Sequence, residues 1–424
     1  MKLSHQLGDY VANFVEDSER ILYHNSLTQL QEVLKSGIEP PSFEAAGPRE
    51  RIFFNPEEVT AAVVTCGGLC PGLNDVIQGV VHSLTFHYGV KNILGIRYGY
   101  RGMVSSSGLE PVNLTPDAVE DIHTRGGCLL GSSRGPQPLG EMVDFLARRN
   151  VRMLFTIGGD GTQRGSLALA QEMETRNLAI AVVGIPKTID NDIQFVEKSF
   201  GFETAYSVAV QVLRSAHAEA FGAHNGIAIV KLMGRESGFL AATASVASGE
   251  VNFALVPEVP FDLKPPNGFL AALEKRILLR HHAVVAVAEG AGQELVTTAS
   301  ARTATDASGN VRLGDIGGYL RERVEKHFQE RGIPATVRYI DPSYIVRSLE
   351  TTPADRMFCL RLAHNAVHAA MSGRTRMMVG YWNSAFTHAP IEAAVRQRKK
   401  LNPECDLWLS VLESTGQPNR MVNG

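Results

Sequence analysis

The stretch GIPKTIDNDI, residues 184–193, sets an ammonium and two carboxylates behind an apolar run. Charges beside a buried strand are costly unless each has a partner or a task. Asp190 and Asp192 are separated by one residue, so in extended backbone both project the same way, with Asn191 opposite. Adjacent carboxylates raise each other's proton affinity, and a cation such as Lys187 lowers it. That tuning suits a carboxylate that takes a proton from a hydroxyl. A solvated turn in which Asp192 caps a helix would use the same residues.

Other stretches add parts. In TCGGLCPGLND, residues 65–75, glycines free backbone N–H groups to meet a phosphate, and the run from Asp75 can open a helix facing that anion. A tight structural turn would carry the same glycines. FTIGGDGTQRG, residues 155–165, surrounds Asp160 with glycines. Backbone donors there suit phosphate oxygens, and the aspartate suits Mg²⁺. The spacing is neither that of GxxxxGK[ST] nor of GxGxxG. In KLMGRESGF, Arg235 brings a fixed charge suited to a moving phosphoryl group, unless Glu236 or another acid pairs it on the surface. Glu289 closes AVVAVAE and Arg347 closes DPSYIVR, a carboxylate for sugar hydroxyls and a guanidinium for a sugar phosphate. Together these are the components of phosphoryl transfer.

Each loop follows a short apolar run. The runs are TAAVVT, NILGI, RMLFTI, AIAVVGI, GIAIVKLM, FALVPEV, AVVAVAE, PATVRYI and RMMVGYW, with helical periodicity between most of them, as in DAVEDIHTR and GSLALAQEMETRN. Near-continuous apolar strands alternating with helices predict an α/β fold with parallel sheets covered on both faces. Ligands then bind beyond the carboxyl ends of the strands. Residues up to about Asn55 form an extension, in which a helical stretch, SLTQLQEVLKSG, leads into a Pro-rich linker or wrapping arm, IEPPSFEAAGPRE.

A chain of 424 residues exceeds one simple core, so two domains are expected. The net charge of −3 offers no basic field for nucleic acid. No uncharged apolar segment reaches the length of a membrane span, and the cytoplasm is the expected location. The five cysteines, 66, 70, 128, 359 and 405, are odd in number and scattered, which suits a reducing compartment. Cys66 and Cys70 lack further ligands for zinc.

GGDGT, PKTIDND, KLMGRESGF, AEGAG and RYIDPSYIVR, in this order, resemble the 6-phosphofructokinase family from about Thr60 to at least Trp382. Residues 1–55 look like the added arm of its longer, trypanosomal and plant-like ATP-dependent branch. The resemblance implies two doubly wound, Rossmann-like domains with the active site in the cleft between them. Residues 56–203 with 343–394 would bind nucleotide, and 204–342 with 395–424 would bind fructose 6-phosphate. It further implies ATP as phosphoryl donor, Mg²⁺, a glycolytic role, and a homotetramer or homodimer open to allosteric control.

Residue by residue, the resemblance makes Asp190 the base for the 1-hydroxyl and Asp160 the Mg²⁺ ligand. Gly159, Asp160, Gly161 and Thr162 would run along the donor phosphates, Gly67 and Gly68 beneath them, with Arg134 and Gly135 reaching them. Thr188, Ile189, Met233, Gly234 and Arg235 would surround the transferring group and sugar. Glu289, Tyr344, Ile345, Val346 and Arg347 would hold fructose 6-phosphate.

There are departures. The short bacterial enzymes read PGTIDND and SGGDAPG where this chain has Lys187 and Leu69, and Gly226 stands where they carry a phosphate-binding arginine. Pyrophosphate-dependent relatives share the lysine, which makes pyrophosphate the alternative donor. They usually read GGDD, however, and Gly161 leaves open the space that the second acid would take from a nucleotide. NAD and diacylglycerol kinases share only the GGDG loop. A silent regulatory subunit would show damage at Asp160, Asp190 or Arg235, and all three are intact.

Overall fold

The computed structural model describes residues 14–296 and 311–423. Thirteen strands occur among them: β1 (Arg20–Leu22), β2 (Ser42–Ala45), β3 (Thr60–Thr65), β4 (Asn92–Ile96), β5 (Val112–Asn113), β6 (Val151–Gly158), β7 (Ala181–Pro186), β8 (Gly226–Leu232), β9 (Phe253–Leu255), β10 (His282–Ala288), β11 (Thr336–Ile340), β12 (Met377–Trp382) and β13 (Ala385–Pro390). They fall into two compact units. Of the described residues, unit 1 holds 14–188, 193–201 and 348–398, and unit 2 holds 189–192, 202–296, 311–347 and 399–423.

Unit 1 is built on a nine-stranded sheet in the order β1-β2-β13-β12-β7-β6-β3-β4-β5. Its centre, from β12 to β4, is parallel. The register sets Thr65 beside Ile157 and Gly158 beside Pro186, so the loops after β3, β6 and β7 leave from one edge. Val64, Leu154 and Val182 of these strands pack with Val143 and Leu146 of one helix and Leu169 and Met173 of another. Each such side chain contributes about 1.5–3 kcal/mol by leaving water.

Unit 2 carries a parallel four-stranded sheet, β11-β8-β10-β9. Leu232 lies beside Ala288 and Ile340 beside Val230, so here too the loops after β8, β10 and β11 share an edge. Its core joins Ile227, Ile229 and Val285 to Phe269, Leu320 and Phe328 of the flanking helices.

One expectation is corrected, and one pair of alternatives is decided. DAVEDIHTR forms two short 3₁₀ turns, Asp117–Val119 and Ile122–Thr124, rather than an α-helix. Gln78 donates to the carbonyls of Val119 and Glu120, and Asn74 to those of Ile122 and Arg125, so side chains take acceptors that a helix would use. The Pro-rich passage is more than a linker, because it contains β2, which pairs antiparallel with β13.

Charge fastens this arm. Glu44 of β2 faces His388 of β13 in register, with its Oε2 2.8 Å from His388 Nδ1, and it accepts hydrogen bonds from Arg374 at 2.6 Å and Arg49 at 3.2 Å. Burial alone would raise the Glu44 pKa, but the bonds from His388 and Arg374 outweigh it and hold the carboxyl well below its usual range. A carboxyl depressed in the folded state contributes stability above its unfolded pKa, and that stability is lost as pH falls through the folded pKa. Glu44→Gln should therefore destabilise unit 1 by about 2–4 kcal/mol near neutrality and flatten its acid-induced loss of stability. Trp382, stacked on Tyr23 of the arm, reports the transition by fluorescence during urea unfolding. Equal midpoints at pH 7 for the variant and the parent would exclude the clamp.

Among the described residues, no helix is long and apolar enough to cross a membrane.

Candidate active site residues in the two units

In unit 1 the three loops are tied to one another. Gly67, at φ +92°, donates its N–H to Ser133 O at 3.0 Å, while Ser132 Oγ donates to Gly67 O at 2.7 Å. These bonds dock the segment bearing Arg134 and Gly135 on the loop of Gly67 and Gly68. Arg134 itself is exposed. Gly72 must be glycine, since a Cβ would lie 2.6 Å from Cys359 Sγ and 2.9 Å from the Phe200 ring. The helix Leu73–His82 starts there.

After β6, Gly159 precedes the helix Asp160–Thr175 and its carbonyl accepts from the N–H groups of Thr162 and Gln163. A Cβ on Gly158 would overlap Thr162 Oγ1 at 2.1 Å, which enforces the tight exit. Asp160 sits on the first turn of the helix and is paired with Arg164 at 2.9 Å. Its side chain is 15% exposed, within reach of a ligand. Thr162 is buried, whereas Gly161 is exposed and an added Cβ there would meet nothing within 4 Å.

Lys187 follows β7, with its N–H on Gly158 O at 3.0 Å. Its side chain is only 6% exposed, and Nζ donates to Gly68 O at 2.8 Å. A Cβ on Gly67 would come within 3.6 Å of that ammonium. Lys187 thus links all three loops. Thr188 O accepts from Ser199 Oγ at 2.6 Å. Cys66 and Cys70 are buried free thiols, and burial pushes Cys66 up to about 12, opposed in part by the charge of Lys187.

In unit 2, Gly234 at φ +130° turns the chain out of β8, where a Cβ would lie 2.5 Å from Ser237 O. The loop after β10 interlocks with this turn. Glu289 donates its N–H to Leu232 O and Gly290 donates to Gly234 O, and a Cβ on Gly290 would sit 1.8 Å from Arg235 O. Arg235 and Glu289 are both half-buried, and Met233 lies beside them in sequence. Burial pushes the Glu289 pKa up, opposed by Arg235, Lys231 and Arg347. Arg347 ends a 3₁₀ turn, Ile345–Arg347, and lies 4.7 Å over the Tyr344 ring. Tyr344 and Ile345 are exposed, while Val346 is buried and anchors the turn.

Ser237 Oγ donates to Asp190 O at 3.1 Å, so Asp190 is held by the same turn that carries Arg235. Asp190 is half-buried, and Ile189 is buried before it. The extended geometry expected for Asp190–Asp192 does not occur. Asn191 is left-handed at φ +53°, a conformation that Asn tolerates, so the two carboxylates do not share the side that strict alternation requires. Asp192 begins no helix; it is buried, and its carbonyl accepts from Lys399 N–H at 2.8 Å. Gly226 could not carry an arginine without rearrangement, since a Cβ would lie 2.1 Å from Ala220 O.

Three charged groups near these loops escaped the sequence reading. Glu258 Oε1 accepts from Gly238 N–H at 3.0 Å and Leu401 N–H at 2.8 Å, securing the end of the Arg235 loop. Lys231 and Asp341 form an ion pair at 2.7 Å. Glu258 lies inside a run already noted, FALVPEV, and its charge in that apolar setting was the available signal.

The phosphofructokinase family model matches residues 60–370. The chain is 52% identical to the ATP-dependent 6-phosphofructokinase of Borreliella burgdorferi, over 90% of this chain and 86% of that protein. It is 48% identical to that of Amycolatopsis methanolica (96% and 89%) and 44% identical to that of Trypanosoma cruzi (90% and 78%). A pyrophosphate-dependent phosphofructokinase from Marinobacter aquaeolei superposes with a TM-score of 0.69 over 86% of this chain and 93% of that one, at 20% identity, a likeness of fold alone. The fold, the order of the loops and these identities agree: the chain belongs to the phosphofructokinase family.

Proposed function

We propose that this chain transfers the γ-phosphoryl group of ATP to the 1-hydroxyl of fructose 6-phosphate, yielding fructose 1,6-bisphosphate and ADP. Asp190 takes the hydroxyl proton as the sugar oxygen bonds to the γ-phosphorus, and the bond to the β-phosphate oxygen breaks. Lys187 and Arg235 stabilise charge on the phosphoryl group in transit. Gly159–Thr162, with Gly67, Gly68, Arg134 and Gly135, line the donor phosphates, which meet a helix start and a guanidinium there; the N–H groups of Gly67 and Thr162 are already given to Ser133 O and Gly159 O, so these two residues shape the lining and do not donate to it. Glu289 and the Tyr344–Arg347 segment hold the sugar phosphate, with Thr188, Ile189, Met233 and Gly234 shaping its surroundings.

Among the described residues no three His, Cys, Asp or Glu side chains gather as a metal group. One accessible carboxylate, Asp160, fits an ion whose remaining ligands are phosphate oxygens and water. Asp160 would hold Mg²⁺, which when bound neutralises charge on the donor phosphates.

The observation that carries the choice of donor is Gly161. It is exposed, its backbone is one that any residue adopts, and the space where a side chain would project is open. The relatives named ATP-dependent, at 42–52% identity, support the same reading. Lys187 favours pyrophosphate as a second reading, since a buried ammonium suits a small, highly charged donor.

A coupled assay with fructose 6-phosphate and Mg²⁺, comparing ATP with pyrophosphate, separates the two. Turnover with ATP alone supports the proposal, and turnover with pyrophosphate alone refutes it. Gly161→Asp should fold normally and lower kcat/KM for ATP about 100-fold through like-charge repulsion, with a much smaller loss for any pyrophosphate activity. An unchanged ATP rate would remove Gly161 from donor selection.

A further inference from the structure

We infer that Lys231 is a positioning residue for the sugar phosphate: its ammonium holds Asp341, and through it the turn that carries Tyr344 and Arg347. The inference rests on the proposed fructose 6-phosphate reading.

Lys231 is the penultimate residue of β8, two positions before Met233. Asp341 directly follows β11, the strand paired with β8. The parallel register brings these distant residues together, with Lys231 Nζ 2.7 Å from Asp341 Oδ2 and 3.3 Å from Asp315 Oδ1. Tyr339 OH donates to Asp315 Oδ1 at 2.8 Å and closes the group. The other oxygen of Asp341 accepts from Ser343 N–H at 3.1 Å and from Ser343 Oγ. Ile345 and Val346 then donate their N–H groups to Pro342 O. Polar contacts joined through the Pro342–Ser343 peptide therefore run from Lys231 to the backbone of the turn ending at Arg347, which packs on the helix Phe202–Gly222.

The lysine side chain is only 16% exposed, a setting in which an ion pair is screened little by salt. Burial would lower its pKa, but Asp341 and Tyr339 reverse that and keep it charged. The Glu289 carboxylate also feels this charge. Lys231 belongs to neither of the loops that bear Arg235 and Glu289, yet it is built into the wall from which both depart.

Two explanations of any effect on sugar-phosphate affinity can be told apart by sign. Lys231→Met removes a positive charge and the tether together, so it raises KM for fructose 6-phosphate under either. Asp341→Asn keeps the lysine and removes a negative charge. If only the local charge matters, that variant lowers KM for the anionic sugar phosphate. If the tether matters, it raises KM.

The expected result in steady-state kinetics is a KM for fructose 6-phosphate raised at least about tenfold in both variants. KM for ATP should stay within about threefold, and Lys231→Arg should recover most of the affinity. A lower KM in Asp341→Asn, or unchanged sugar-phosphate KM in folded Lys231→Met, would overturn the inference while leaving the proposed activity standing. A parent enzyme that neither binds nor phosphorylates fructose 6-phosphate would overturn both. If Lys231→Met does not fold, Asp341→Asn alone decides by its sign.

Discussion

Asp190→Asn should lower kcat by about 10²–10⁴-fold, with KM for both substrates changed little. Asparagine keeps the size of the side chain and one acceptor oxygen, so a bound sugar hydroxyl retains a hydrogen-bond partner. It cannot accept the proton. The backbone carbonyl of residue 190 accepts from Ser237 Oγ, and the substitution leaves that bond intact, so the expected loss is chemical. Direct binding of fructose 6-phosphate by the variant, measured by calorimetry, checks this separation. Asp192→Asn is the companion. Left-handed Asn191 breaks the alternation between the two carboxylates, and Asp192 is buried with its backbone committed to Lys399, so a reduction under about tenfold is expected. If the large loss follows Asp192 and spares Asp190, the base has been misassigned. If neither variant loses more than tenfold, general-base catalysis from this stretch is excluded.

The same two carboxylates show where sequence reading holds and where it stops. All nine apolar runs coincide with β3, β4 and β6 to β12, because strands buried on both faces of a parallel sheet must be apolar almost throughout. The position proposed for the chemistry follows from that, since in each sheet the polar loops after such strands leave from one edge once the strands are in register. The four strands that were missed carry a weaker pattern. β5 is two exposed residues, β1 is only three residues long, and β2 lies in a Pro-rich passage. β13, AFTHAP, holds a threonine and a histidine in its buried centre, and the histidine is explained only by Glu44 across the sheet. What pairs distant residues was illegible: Lys231 with Asp341 depends on the β8–β11 register, and DAVEDIHTR loses its helix to side chains of another helix. The φ of Asn191 was also hidden, although Asn is the residue type that adopts it most readily after glycine.

Lys187→Met should reduce kcat about 10²–10³-fold while leaving thermal stability unchanged or raised. An ammonium has three N–H donors, and Gly68 O receives one of them at 2.8 Å. A buried ammonium, only 6% exposed and with the neutral carbonyl of Gly68 as its acceptor among the described residues, is costly to desolvate and useful beside a transferring phosphoryl group. Methionine has similar length and no charge, so it removes that cost along with the function. The opposing possibility is that Lys187 merely ties the Gly67–Gly68 loop in place. In that case loss of the tie displaces the loop, KM for ATP rises and kcat holds. Lys187→Gln separates the two, because it restores a donor without the charge. If charge stabilisation is the task, glutamine leaves kcat low and KM for ATP near the parent value. If the tie is the task, glutamine returns the variant close to parent behaviour. A rise in stability on losing the lysine would be the mark of a residue retained for its chemistry against the interest of the fold. A large fall would mean that the bond to Gly68 holds the three loops together, and the lysine would then reveal nothing about the donor.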